Sequence, residues 1–372
     1  MLLNSSKTRA DFQVAFATDG GPTQLPPPFA CPITSAPLCL RIDARGRFVM
    51  VAGHDHHYRS SDEGFLNFTR ESLVGEVEQL WPEGGRESFR GNGGAQRPER
   101  LADRYDQLML RLAKAGRRRP AQNQEFYNQF FGEKDILLFA RDYRNILRRH
   151  ELLRSIPRTG ALRVIDLGCG TGHALRPLAS RGWDLYGMEY APKALRLCAR
   201  HVPEATLFAG DMTRLPLAQN WFDVAISLEV CEHIRHDVTA MQEAHRILKP
   251  GGRFIMSVPG NRHHATYEEL IGHYRHYTQE QLVQILTSVG FKTVMPLRHY
   301  PHFHRRYFVW WPWLSLADRV LRRVGGRSLY TLGQPEGAVY RTIIRHLTSA
   351  ISQDRRRTGL GLRHSTFVCA FK

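Results

Sequence analysis

The stretch that most constrains the fold is VIDLGCGTG, residues 164–172, in which an apolar run ends in Asp166 and three glycines follow. Glycine has no Cβ and tolerates positive φ, so a turn built from Gly168, Gly170 and Gly172 brings the backbone close to a ligand. The GxGxG spacing departs from the GxGxxG of dinucleotide sites. A P-loop would place lysine and then Ser or Thr where His173 and Ala174 stand. The turn therefore disfavours both a dinucleotide and a nucleoside triphosphate.

Strand-like and helix-like segments alternate from residue 161 onward. The predicted strands are ALRVIDL, DLYGM, ATLFAG, FDVAIS, RFIMSV and, at the end of the chain, STFVCAFK. The predicted helices lie near 173–181, 192–201 and 238–248, and over TQEQLVQILTSVG. This alternation predicts an α/β fold with a doubly wound parallel sheet.

Two further acids follow the next two predicted strands and define the expected ligand. Glu189 stands about twenty residues after the turn, where an acid can accept both ribose hydroxyls. Asp211 follows the third strand, where a carboxylate can accept an adenine amino group. No lysine or arginine clamp for a pyrophosphate accompanies them. S-adenosylmethionine (SAM) fits these features, with Asp166 near its ammonium end.

Residues 161–295 resemble a class I SAM-dependent methyltransferase of the small-molecule, type 11 kind. The resemblance is carried by VIDLGCGTG, GMEYAPKAL, GDMTRLPLAQNWFDVAISLEVCEHI, RILKPGGRFIMSVP and GHYRHYTQEQLVQILTSVGF, in the family's order. It implies a Rossmann-like, seven-stranded sheet, with Tyr190 against the adenine and the Met212 backbone at the adenine edge. The cofactor-binding residues that it implies are Asp166, Gly168, Cys169, Gly170, Gly172, Glu189, Tyr190, Asp211, Met212 and Leu228.

The segment SLEVCEHI places Glu229, Glu232 and His233 just past the fourth strand, beside the expected methyl group. His233 is the leading candidate for a general base because imidazole titrates near neutrality; the alternative is a histidine that only packs there. Glu229 is the second candidate for the catalytic site, where it is expected to line the pocket or hold SAM. The pattern also resembles quinone-pathway O-methyltransferases, in which this cluster holds a divalent metal, but we assign no metal ligand from the sequence. His273, in GHYRHYT, is the third catalytic candidate.

The charge of the chain leaves two classes of partner open. Lys and Arg total 52 against 35 Asp and Glu, a formal net charge of +17, which favours nucleic acid or an anionic phospholipid surface. The Asn/Asp-Pro-Pro-aromatic motif of amino-methylating nucleic-acid enzymes is missing after the fourth strand, which disfavours base methylation. We expect a methyltransferase of a small-molecule or lipid-linked acceptor, acting at oxygen. The alternatives are an RNA methyltransferase and a non-catalytic SAM-binding or scaffold protein.

The flanking regions carry weaker signals. Residues 29–80 resemble a small zinc-ribbon module, with CPxxxxPL and YxxxDEGFLNF kept but Thr34 in place of a ligand cysteine. A later insert interleaves Trp310, Trp311 and Trp313 with arginines, as at a membrane interface or a nucleic-acid stacking surface. No apolar run is long enough for a signal peptide or a membrane span, so we expect a cytoplasmic protein with peripheral association to anionic membrane.

The predicted organisation has seven parts. They are a disordered tail over 1–28, the degenerate ribbon over 29–80, a linker over 81–100, a helical lead-in over 101–160, the methyltransferase core over 161–297, an aromatic and basic insert or lid over 298–364, and the last core strand over 365–372.

Overall fold

The computed structural model describes residues 143–157, 160–259, 273–296 and 365–372 as continuous stretches. It also describes shorter pieces: 23–24, 29, 39–42, 48–52, 56–59, 67–68, 73–74, 313, 320, 323, 345–346 and 349–350. The predictions for Cys31 and Thr34, for the linker over 81–100, and for Trp310 and Trp311 lie outside the described residues.

The helices and strands follow the predicted alternation closely. The strands are β1 (Thr23–Gln24), β2 (Cys39–Ile42), β3 (Phe48–Ala52), β4 (His56–Arg59), β5 (Asn67–Phe68), β6 (Leu73–Val74), β7 (Arg163–Leu167), β8 (Asp184–Glu189), β9 (Thr206–Gly210), β10 (Phe222–Leu228), β11 (Leu248–Pro259), β12 (Thr293–Pro296) and β13 (Ser365–Phe371). The α-helices are α1 (Tyr143–Ser155), α2 (Pro192–His201), α3 (Asp237–Ile247) and α4 (Gln279–Val289). Short 3₁₀ helices cover Arg176–Arg181 and Cys231–His233.

The main sheet has the order β12-β13-β11-β10-β7-β8-β9-β5. Without the two-residue β5 at its edge, seven strands remain, and numbered along the chain they run 3-2-1-4-5-7-6. Strands β7 to β11 pair in parallel, whereas β13 is antiparallel to both β11 and β12. The predicted Rossmann-like, doubly wound methyltransferase sheet is confirmed, but it is mixed rather than entirely parallel.

Helices cover both faces of this sheet. On one face, α3 and α4 contribute Met241, Ala244, Leu282 and Leu286 to the core; on the other, α1 and α2 contribute residues such as Leu195. The connections from β7 onward lie on one face of the sheet and those from β10 onward on the other. The switch point is therefore between the neighbouring strands β7 and β10. In open α/β sheets ligands bind at such a switch point, outside the carboxyl ends of the strands.

Two local features show how the sequence sets the helix ends. Thr278 and Gln281 form a capping box at the start of α4, and Gly290 ends that helix at φ 119°. The helix predicted near 173–181 is wrong in type: only a 3₁₀ helix forms over Arg176–Arg181, with Pro177 at its start and Gly182 at φ 66° after it. Proline supplies no backbone donor, and the glycine closes the segment within two turns.

The short strands β1, β2, β3, β4 and β6 form a separate antiparallel sheet. Within the part of the chain that the structure describes, no helix combines the length and apolar character needed to cross a membrane.

Candidate functional site

The glycine turn after β7 requires its glycines. Gly168, Gly170 and Gly172 all have positive φ, at 81°, 49° and 89°. A Cβ on Gly168 would lie 2.5 Å from Val230 Cγ2, and one on Gly172 would lie 2.8 Å from Cys198 Sγ. The backbone N–H of Gly168 donates to the carbonyl oxygen of Met188 at 2.8 Å, which ties the turn to β8.

Glu189, at the carboxyl end of β8, is bound to the backbone of this turn. Its Oε2 accepts from the Gly170 N–H at 2.9 Å and its Oε1 accepts from the Ala191 N–H at 3.0 Å. Burial raises the pKa of the Glu189 carboxyl, and these backbone donors oppose the rise. A carboxylate oxygen has two lone pairs, so each oxygen retains acceptor capacity for a ribose hydroxyl.

Asp166 lies near the end of β7 and is almost completely buried. Burial, with a smaller contribution from the charge of Glu189, raises the pKa of its carboxyl to about 8. A cation placed beside Asp166 would favour its ionised form and lower that pKa. The site thus holds a carboxyl group whose charge depends on the ligand.

Asp211 and Met212 follow β9, the next strand along the edge. Asp211 Oδ1 accepts from the Thr213 N–H at 2.8 Å and from the Thr213 hydroxyl at 2.7 Å, which fixes the carboxylate in the turn. The Met212 side chain is buried in the core. The strands β7, β8 and β9 are adjacent and parallel. Asp166, Glu189 and Asp211 therefore lie together at the carboxyl ends of these strands.

The other three residues of the predicted cofactor set sit at the same edge. Tyr190 follows β8 and Leu228 ends β10, and both are partly exposed. Cys169 differs, because its side chain is buried in the apolar core with Leu175 and Leu207. Its backbone N–H donates to the Met188 carbonyl at 2.9 Å.

Glu229 follows β10 and is held in an unusual conformation. Its φ is 59°, in the left-handed region that non-glycine residues seldom adopt. Its carboxylate forms a salt bridge with Arg148 of α1, 2.5 Å from Nη2 to Oε2, and accepts from the Ser257 hydroxyl at 2.9 Å. A residue in a sparsely populated conformation persists only where its surroundings impose it.

Arg148 is a site residue that the sequence did not reveal. It is 9% exposed, whereas its neighbour Arg149 is exposed to solvent. The sequence shows only two adjacent arginines in a predicted helical region, so nothing local distinguishes the buried one. Its role becomes visible only when α1 packs beside β10 and β11.

Glu232 lies at the centre of a second cluster, next to His233 and His273. It is fully buried, and neither carboxylate oxygen has a hydrogen-bond partner among the described residues. Burial, followed by the nearby charge of Glu229, raises the pKa of the Glu232 carboxyl well above its usual value. Its Oε1 lies 3.9 Å from His233 Nε2 and 4.0 Å from His273 Nε2. A buried, unsatisfied carboxyl group is costly and is a frequent mark of a functional site.

The two histidine rings pack against each other, with centroids 4.5 Å apart and planes at 82°. His273 Nδ1 is 2.8 Å from His276 Nε2, a hydrogen bond that orients the His273 ring with its Nε2 toward Glu232. One ligand atom from each of Glu232, His233 and His273 lies within 4.8 Å of the other two. Two imidazole nitrogens and one carboxylate oxygen form a donor set that suits a divalent transition metal.

The segment that carries His273 is anchored firmly to the turn after β10. The Tyr274 N–H donates to the Glu232 carbonyl at 2.7 Å. Arg275 forms a 2.6 Å salt bridge with the buried Asp237, and the Tyr277 hydroxyl donates to the same carboxylate at 2.6 Å. Sequence analysis picked out His273 in this segment but identified no role for Arg275.

Comparisons with known proteins find methyltransferases. A family model described as "Methyltransferase domain" matches residues 165–256. The chain is 29% identical over 128 residues to the demethylmenaquinone methyltransferase of Renibacterium salmoninarum, which aligns 34% of this chain with 51% of that protein. It is 33% identical over 120 residues to the ubiquinone biosynthesis O-methyltransferase of Azorhizobium caulinodans, with 31% of this chain and 47% of that protein aligned.

The chain thus spans about half the length of these curated relatives. A solved structure that aligns with this chain is phosphoethanolamine N-methyltransferase 2 of Haemonchus contortus in complex with S-adenosyl-L-methionine. It is 19% identical to this chain, with a TM-score of 0.43, and the alignment covers 60% of this chain and 52% of that one.

Proposed function

We propose that this chain, which contains a class I SAM-dependent methyltransferase domain, transfers the methyl group of SAM to an oxygen atom of a small-molecule or lipid-linked acceptor. The observation that carries the proposal is the cluster of the buried Glu232 with the partly exposed His233 and His273, which follows β10, beside the strands whose acids we assign to SAM. It brings proton-accepting groups to the place where the acceptor would meet the methyl group.

In such a transfer the acceptor oxygen attacks the methyl carbon while the bond from that carbon to the sulfonium sulfur breaks. The reaction needs in-line positioning of the two reactants and exclusion of water. An alcohol or phenol must also lose its proton, and an imidazole at neutral pH is suited to accept it. We assign this role to His233, and we assign to Glu189 and Asp211 the ribose and the adenine of SAM.

The same three residues also fit a divalent cation, and with a cation bound His233 would be a ligand instead of the proton acceptor. The fit rests on the two Glu232 oxygens, which are buried and lack hydrogen bonds to described residues, and on the second nitrogen of His273, which is oriented by His276. Bound there, a cation would lower the pKa of an acceptor hydroxyl as a Lewis acid. Glu229 would not be a ligand, because Arg148 and Ser257 already engage its carboxylate.

The names of the relatives favour an apolar acceptor of the quinone kind. One is a demethylmenaquinone methyltransferase and the other belongs to ubiquinone biosynthesis. Trp313 and Val320 add support for a lipid-linked acceptor: both positions are helical, and their side chains are 67% and 51% exposed. Tryptophan is enriched at the interface between a membrane and water.

The test is incubation with methyl-labelled SAM and separate phenolic small-molecule, lipid and RNA fractions. We expect the label in the small-molecule or lipid fraction, and we expect His233→Gln to lower kcat by about 100-fold or more with unchanged SAM affinity. Glu189→Ala should instead abolish labelling by weakening SAM binding. Label in RNA alone would replace the proposal with the RNA alternative. Full SAM binding without transfer to any fraction would favour a non-catalytic protein.

A further inference from the structure

Two residue contacts join the N-terminal part of the chain to the main sheet beside its outermost core strand, β9. They lie on either side of the loop over residues 211–216. Strand β5 pairs in parallel with β9, with Asn67 opposite Ala209 and Phe68 opposite Gly210. Phe29 forms an antiparallel bridge with Leu217. The loop between these two contacts, residues 211–216, begins with Asp211 and Met212.

Three phenylalanines make these contacts apolar as well as hydrogen-bonded. The rings of Phe29 and Phe68 stack 6.0 Å apart, and each meets the ring of Phe208 edge-on, at 5.2 Å and 6.1 Å respectively. Phe29 is 6% exposed, and both Phe68 and Phe208 are fully buried. Buried aromatic clusters of this kind contribute large apolar areas and specific geometry. The N-terminal contacts are therefore part of the core and not a loose surface association.

The end of the loop is held by helix α3. Arg246 of α3 donates to the carbonyls of Leu217 at 2.7 Å and Leu215 at 3.1 Å, and Glu243 accepts from the Leu215 N–H at 2.7 Å. These bonds hold the end of the loop next to α3. The start of the loop leaves β9, the outermost of the seven core strands; Met212 there is buried in the core, and among the described residues β5 is the strand that pairs with β9 on its outer side. An uncovered edge strand is the least restrained strand of a sheet.

We propose that Phe29 and Phe68 are positioning residues for the cofactor. Through Phe208, Gly210 and Leu217 they hold Asp211 and Met212 in the conformation that receives adenine. This inference rests on the proposed cofactor site, although it does not depend on the acceptor.

The test measures binding of SAM, S-adenosylhomocysteine and free adenosine to Phe68→Ala and to the double variant Phe29→Ala with Phe68→Ala. All three ligands carry adenine, so we expect the dissociation constant of each to rise by about tenfold, with a larger rise in the double variant. Phe68→Leu, which keeps most of the apolar volume, should recover most of the affinity and covers the case in which the alanine variants do not fold.

The matched control is Phe291→Ala. Phe291 is 1% exposed and stacks on Phe254, with ring centroids 5.6 Å apart, near the opposite edge of the sheet. It should lower the melting temperature as much as Phe68→Ala and leave adenosine binding unchanged. If Phe68→Ala lowers only the melting temperature and binds adenosine like the unmodified chain, the residues are structural and the proposal is wrong.

The variant Asp211→Ala distinguishes a failure of the positioning role of the phenylalanines from a failure of the proposed adenine site. Loss of adenosine binding in Asp211→Ala together with normal binding in the phenylalanine variants would overturn only the positioning role. Normal adenosine binding in Asp211→Ala would overturn the placement of the adenine itself, and with it the cofactor assignment on which this inference depends.

Discussion

Among single residues, Asp166 is the one whose charge state we expect to change when the proposed cofactor binds. Its carboxyl is buried beside another acid, and its pKa is raised to about 8, so the ligand-free protein holds it largely protonated at neutral pH. The ammonium group of SAM would favour the carboxylate and lower that pKa in the complex. Binding would then release a proton. Burial disfavours the ionised form of Asp166 when no cation is near. The same burial strengthens its attraction to a bound cation, because little water screens the two charges.

We therefore predict that cofactor affinity increases with pH. Because the ligand prefers ionised Asp166, the dissociation constant of S-adenosylhomocysteine should fall by on the order of tenfold or more between pH 6 and pH 8 and level off above about pH 8. Calorimetry in buffers of different ionisation enthalpy measures both the affinity and the proton released. Asp166→Asn should bind more weakly and lose this pH dependence. A dependence of equal size in Asp166→Asn would assign the titration to another group.

At the scale of elements, the second cluster exists because two segments meet that are far apart in the chain. Glu232 and His233 lie in the 3₁₀ helix after β10, and His273 lies in the segment before α4. Arg275 joins the two through Asp237 and through the carbonyl of Ile234, at 2.8 Å. The donor set of the cluster thus depends on the docking of one segment onto the other.

We predict that this cluster binds cobalt(II), used as a spectroscopic probe, with His273 and not Glu229 as the third ligand. His273→Ala should weaken cobalt binding by about 100-fold and remove its visible absorption, because one nitrogen donor is lost. Glu229→Gln is the control and should bind cobalt nearly as well as the unmodified chain. The opposite result in the two variants would return the ligand set to Glu229, Glu232 and His233. Absence of cobalt absorption in the unmodified chain would remove the metal from the mechanism.

At the scale of the whole molecule, the excess of positive charge and the exposed Trp313 both bear on whether the chain binds a membrane or RNA. The net charge of +17 favours any polyanion, so salt-dependent binding alone does not separate a membrane from RNA. A change that removes apolar surface and keeps every charge does separate them, because only the interface of a bilayer offers apolar depth to a tryptophan.

We predict that Trp313→Ala weakens binding to anionic lipid vesicles by about fivefold, as expected when roughly half of a large apolar side chain no longer enters the interface. Vesicle sedimentation at several salt concentrations measures this. Met295→Ala, which removes an apolar side chain that is 48% exposed on β12, is the control and should bind as before. Unchanged vesicle binding together with weaker RNA binding in Trp313→Ala would favour the stacking interpretation and the RNA alternative.

The sequence by itself determined the sheet and the positions of the three acids that we assign to the cofactor. Each of these acids follows its own strand directly, so the position of Asp166, Glu189 or Asp211 at the sheet edge depends only on local chain order. The glycine turn is local in the same sense, since positive φ at Gly168, Gly170 and Gly172 is a property of the backbone there. Short-range patterns of this kind can be read without knowing what packs against them.

Only the tertiary structure decided which residues meet across long separations in the chain. The salt bridge of Arg148 with Glu229, the approach of His273 to Glu232 and the packing of Phe68 on Phe208 each join segments that are distant in sequence. The antiparallel course of β13 is of the same kind, because β11 and β12 set it. Such contacts depend on how helices and strands pack over the whole core, and hydrophobic periodicity along one segment contains no information about the partner that another segment brings.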